Sequence, residues 1–151
     1  MSLDRIIIQI SCDLVKEAMD VKNQVYDQFR MQRRRPTHQD FPAGIVTVTT
    51  DALYPRRTTE TSRRMKRDTV HEALSELFLN NLGAEAGMTS PVTGHRNPIG
   101  QCAEQHATNS WLKKNPLHDF NELKFSICLR PRTLAYLPNC DNCIVLFPQL
   151  A

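Results

Sequence analysis

Apolar residues at Leu3, Ile6, Ile7, Ile10, Leu14, Ala18, Val21, Val25 and Phe29 recur in steps of three and four, the period of one long amphipathic helix. Ser2 stands where an N-cap is expected, and Pro36 lies beyond the helix's basic end. Gly44 then opens residues 45–50, which are β-branched throughout and predict a strand. Residues 51–57, with Pro55, predict a turn, and residues 58–61 a short returning strand. From Ser62 the period changes again. Val70, Ala73, Leu74, Leu77, Phe78 and Leu82 share one face of a second helix, which Gly83 ends. A loop rich in Gly, Pro and Thr fills residues 83–100, a length at which loops commonly carry function. A third helix is predicted over residues 101–114, stopping at Asn115-Pro116. Residues 124–130 alternate, with Phe125, Ile127 and Leu129 pointing inward as in a half-buried strand. A bend at Pro131 leads through residues 134–137 to Pro138, a cysteine pair and a short apolar tail. Together these elements predict an α/β fold, a small mixed sheet backed by helices.

The length of 151 residues suits one domain with a real core and is too short for two comfortable ones. Its longest apolar runs, residues 6–8 and 143–147, are far too short to cross a bilayer. The first residues lack a basic start followed by a sustained apolar run. The expectation is a protein that works in a cytoplasm, its own or another cell's, with no membrane partner. Net charge is only +3, but its placement is uneven. Arg30, Arg33, Arg34 and Arg35 cluster before Pro36; Arg56 and Arg57 follow, then Arg63, Arg64, Lys66 and Arg67. Such clusters attract a polyanion such as nucleic acid, or else simply solvate helix ends and turns.

Five cysteines, an odd count without an export signal, argue against a disulfide framework. Cys140-Asp141-Asn142-Cys143 has the two-residue gap that metal sites and redox motifs share, and the count favours a metal. Upstream, Cys102-Ala103-Glu104 stands at the start of the third helix. Hydrolytic deamination needs this combination. Zinc with three protein ligands and an open position lowers the pKa of bound water to about 7. A carboxylate that is not a ligand then moves the protons. At a helix N-terminus, a ligand and a Glu two positions later both project from the first turn, and the free N–H groups favour a thiolate.

These residues resemble the cytidine deaminase-like superfamily. Its signature is His or Cys, any residue, Glu, then a later Pro-Cys-x-x-Cys. The order of strand, strand, helix, metal helix, strand, metal helix is also similar. Cys-Ala-Glu with a closing Cys-x-Asn-Cys pair is closest to the compact bacterial toxin deaminases of the YwqJ-like kind. The resemblance covers residues 44–147, leaving 1–36 as a helix and basic linker outside it, within one domain over 1–151. Two departures stand: Asn139 separates Pro138 from Cys140, and little chain follows Cys143. The resemblance implies a three-layer fold, Cys102, Cys140 and Cys143 as zinc ligands, and Glu104 as the proton carrier. It implies cytosine-to-uracil conversion, with single-stranded DNA or another nucleic acid favoured as substrate. A free nucleoside or nucleotide is the alternative, and a toxin of this kind would have an immunity protein as partner.

Other residues keep two readings. His106 follows Cys102 by four positions and would, as a fourth ligand, close the site into a non-catalytic zinc module. Asn97, His95 and Ala103 would touch the substrate, or Asn97 and His95 are ordinary loop polar groups. Arg33, Arg34 and Arg35 would meet nucleic acid. Cys12 and Cys128 read as small core residues, Trp111 as core in preference to base stacking, and Tyr136 as core or stacking. His38, His71 and His118 carry no partner pattern.

Overall fold

The computed structural model describes residues 4–51 and 53–150. Seven main elements follow in the order α1 (Arg5–Met31), β1 (Ile45–Thr49), β2 (Thr58–Thr61), α2 (Glu72–Leu77), α3 (Ala103–Lys114), β3 (Lys124–Phe125) and α4 (Asp141–Leu146). The α/β class stands, in three layers. Ile10, Leu14 and Ala18 form the buried stripe of α1, and Leu14 and Ala18 pack against Ile45 and Leu129. On the opposite face of the sheet, Val46 and Val48 join the core that contains Ala107, Trp111 and Leu112 of α3. Because helices cover both faces, all five residues of β1 are buried, and that strand needs no polar alternation. No helix among the described residues is long and apolar enough to cross a membrane.

The sheet runs β2-β1-β3, and both strand pairs are antiparallel, which replaces the mixed strand direction expected. The third strand is also far shorter than its alternation suggested. Val48 pairs with Phe125 and Ile45 with Leu129, so one extra residue lies on the β3 side between the two pairs. That is a β-bulge. Ser126 fills it: its N–H donates to the Thr47 carbonyl, and its Oγ accepts the Thr47 N–H at 2.9 Å. The bulge shifts the inward set. Phe125 and Leu129 are buried, but Ile127 is 42% exposed and Cys128 takes its place inside.

Helix ends account for other adjustments. Ser2 and Leu3 lie outside the described residues; Asp4 is the N-cap of α1, accepting from the N–H groups of Ile6 and Ile7. At the other end Arg34 N–H reaches the Phe29 carbonyl and Arg33 N–H the Arg30 carbonyl, a Schellman closure. The second helix is regular only from Glu72, with His71 Nδ1 as its cap, and widens to a π-type turn at Phe78–Leu82 before Gly83. Cys12 is exposed, not core, because it lies off the stripe that meets the sheet. Tyr136, 57% exposed, is likewise not core, although Trp111 is fully buried.

Candidate metal centre

Both cysteine motifs sit at helix starts. Cys102 is the N-cap residue of α3 and Cys140 that of α4, and neither side chain caps its helix. Each thiol is therefore free to point forward, and the two meet at 2.9 Å. Cys143, fully buried in the first turn of α4, lies 3.6 Å from Cys140. All three sulfurs fall within 4.8 Å of one another. Zinc with bonds of about 2.3 Å sets tetrahedral sulfurs about 3.8 Å apart, so the trio fits once Cys102 and Cys140 separate slightly.

Amide groups support the sulfurs. Gln105 Nε2 donates to Cys143 Sγ at 3.3 Å while its Oε1 accepts the Gly100 N–H. Asn97 Nδ2 points to Cys102 Sγ at 3.9 Å. N–H donors on sulfur are the second layer that a metal-bound thiolate requires. Hydrogen bonds from Cys102 and Cys143 hold Cys140 well below the ordinary thiol range. Its hydrogen bond to Cys140, together with burial, pushes Cys102 up, and burial does the same to Cys143. The cluster thus favours one thiolate, and a bound cation would favour the others.

Among the described residues no His, Asp or Glu joins the three cysteines as a fourth ligand. His106 is turned away. Its Nε2 lies 2.6 Å from the Arg63 carbonyl oxygen, which fixes the ring against residue 63. Glu104, one residue into α3, is 3% exposed, and burial pushes its carboxyl above the usual range. It lines a cavity of about 140 Å³ with Cys102, Cys140, Ala103, Asn97 and Cys128. That volume lies below the roughly 300–1,000 Å³ of most ligand pockets and suits one flat ring. Larger hollows lie elsewhere, one of about 510 Å³ around Asp4 and Lys124. There Lys124 is already paired with Asp4 and with Asp51.

Of the residues singled out in the sequence, Cys102, Cys140, Cys143, Glu104, Ala103 and Asn97 come together. His95 stands behind the cavity wall, its Nδ1 accepting the Asn97 N–H at 3.1 Å. Arg33, Arg34 and Arg35 line a separate hollow after α1. Three contributors escaped the sequence reading. Cys128 belongs to the core as expected and also walls the cavity, delivered there by the bulge. Gly44 permits this approach, since a Cβ on it would meet Cys128 Sγ at 2.7 Å. Asn142, between the paired cysteines, donates to the Asn97 carbonyl at 3.1 Å and ties the long loop to α4. Comparison with protein-family models, curated proteins and solved structures yields no match to this chain.

Proposed function

We propose that this chain is a zinc-dependent hydrolytic deaminase of the cytidine deaminase-like superfamily, converting cytosine to uracil in single-stranded DNA or another nucleic acid. The observation that carries the reading is a buried, non-ligating carboxyl, Glu104, beside three convergent cysteines and facing a ring-sized cavity. Three sulfurs with no fourth protein ligand among the described residues match an open catalytic site and not a closed structural one. His106, bonded to the Arg63 carbonyl, argues against the closed four-ligand module.

Zinc held by Cys102, Cys140 and Cys143 would supply water acidic enough to lose a proton near neutral pH. Glu104 would take that proton and pass it to the ring nitrogen, then carry a second proton, from the hydroxyl added at C4, to the departing amine. Burial suits it to both halves of this task, because a carboxyl raised above its usual range holds a proton long enough to pass it on. Asn97 offers an amide to the ring's edge. A cavity of this size leaves sugar and phosphate outside, which is compatible with a base drawn from a strand.

The test compares the chain with Glu104→Ala. Zinc content should stay at one ion per chain, while uracil formation in a cytosine-bearing oligonucleotide should fall by about 10²–10⁴-fold. Loss of zinc in Glu104→Ala, or equal product from both proteins, would remove the assignment. Cytidine offered as the free nucleoside discriminates the alternative substrate class.

A further inference from the structure

The arginines divide into two groups. Arg30, Arg57, Arg63 and Arg67 each face a carboxylate. Among the described residues the other nine form no ion pair, and five of these, Arg33, Arg34, Arg35, Arg130 and Arg132, line hollows. An unpaired guanidinium keeps its charge and its five donors for an external anion.

These five arginines line two adjoining hollows. The first, of about 550 Å³, contains Arg33, Arg34 and Arg35 and is bounded by Tyr26. The second, of about 260 Å³, contains Arg130, Arg132 and His38 and is bounded by Phe41 and Ala43. Tyr26 packs edge-on against Phe41 with ring centroids 5.5 Å apart, so the hollows meet at an aromatic pair. Ala43 lines both the second hollow and the cavity that holds Glu104. In series, the two hollows and the cavity make up a basic furrow from the end of α1, linked by the Tyr26–Phe41 pair and by Ala43.

The backbone is strained at both ends of this furrow. Arg33 and Leu134 are the two non-glycine residues with left-handed φ among those described, at 55° and 61°. Arg33 occupies the Schellman position where glycine is least strained. Leu134 closes the turn after Arg130, donating its N–H to the Arg130 carbonyl at 2.7 Å.

We propose that this furrow is the track of a single-stranded polynucleotide. Arg130 and Arg132 hold the phosphodiesters beside the base in the cavity, and Arg33, Arg34 and Arg35 hold those further along. The inference rests on the deaminase reading. Guanidinium forks match phosphate oxygens in pairs, and the 42% exposed ring of Tyr26 offers a face to a neighbouring base. An acidic polypeptide would have no use for a ring-sized cavity at the furrow's end.

The test is fluorescence anisotropy with a short labelled oligodeoxynucleotide, and separately an oligoribonucleotide, over a salt series. In the double variant Arg130→Gln/Arg132→Gln, the slope of log affinity against log salt should fall by about 1.4. That is about 25-fold weaker binding at about 0.1 M salt, with the gap closing toward about 1 M. Arg33→Gly should weaken binding about 5-fold at about 0.1 M salt yet leave the melting temperature unchanged or higher, since it relieves a left-handed arginine. A residue that merely shaped the turn would not separate affinity from stability in this way. An unaltered slope in the double variant, or equal binding of poly-glutamate, would overturn the proposal. Deaminated product is scored separately. Arginine-dependent binding without product leaves the track standing and removes the reaction; product from a protein whose affinity ignores these arginines overturns the track alone.

Discussion

His106 follows Cys102 by one helical turn, yet the two side chains serve different neighbours. The Arg63 carbonyl fixes the imidazole through Nε2, and burial, ahead of every other influence, lowers its pKa below the ordinary 6.5. The sign of the consequence is set by linkage. Below pH 6.5 the unfolded chain takes up a proton that the folded ring refuses, so stability falls with pH until the folded ring itself titrates. The limiting slope is about 1.4 kcal/mol per pH unit. Urea denaturation between pH 7 and pH 5 should therefore show a loss of stability that His106→Asn makes shallower, since the amide can still donate to the Arg63 carbonyl. Identical pH profiles for the two proteins would mean that His106 takes up its proton as readily in the fold as in the unfolded chain, against the effect of its burial. At the same scale, the three clustered sulfurs and Glu104 were legible because metal-assisted hydrolysis demands those residue types at that spacing. Cys128 and Gln105 were not, because nothing in their residue type separates a core thiol or a helix amide from one that touches the site.

Ser126 decides where an entire segment faces. Its Oγ gives the Thr47 N–H of the central strand a partner that the ladder no longer supplies, and it donates in turn to the Ile127 carbonyl. Ser126→Ala leaves a buried N–H without an acceptor, at a cost of about 1–3 kcal/mol. The expected readout is a lower urea midpoint with an unchanged slope, together with altered exposure of Cys128 to thiol reagents. A variant as stable as the parent, with Cys128 equally protected, would show that the bulge holds without the hydroxyl. This element also marks the limit of periodicity. Helix α1 could be read from spacing because it keeps a single period from end to end, and β1 from its unbroken β-branched run. Residues 124–130 look like one alternating strand, but a one-residue insertion reverses which side chains face in, and hydropathy records no such insertion. The start of α2 was equally hidden: its cap is His71, whose Nδ1 accepts the Ala73 N–H, a role for which histidine gives no sequence signal.

The whole molecule is fastened at a point remote from its first layer. Cys102 and Cys140 stand 38 residues apart in sequence, and their meeting brings the start of α3, on the sheet, to the start of α4. The long loop is tied into the same place, since Asn142 holds the Asn97 carbonyl and Thr93 donates to Asn142. A metal at the three sulfurs therefore joins both helix starts and the loop, whereas α1 is held by its packing on Ile45 and Leu129 and by ion pairs of Asp4 and Asp13, all outside that site. Binding that favours the folded state adds about 4 kcal/mol when free zinc is about 1,000-fold above its dissociation constant. In a chain of this length each kcal/mol moves the melting temperature by about 2–4 °C. Thermal melts in reducing buffer should accordingly rise by roughly 8–16 °C from chelator to excess zinc. Hydrogen exchange should slow most in α4 and residues 93–102, and least in α1. Cys140→Ser should abolish the shift and Glu104→Ala should keep it, because only the first loses a ligand. If the zinc-dependent protection instead spread evenly over α1, or the melt ignored zinc altogether, the three sulfurs would be packing neighbours and not a metal centre.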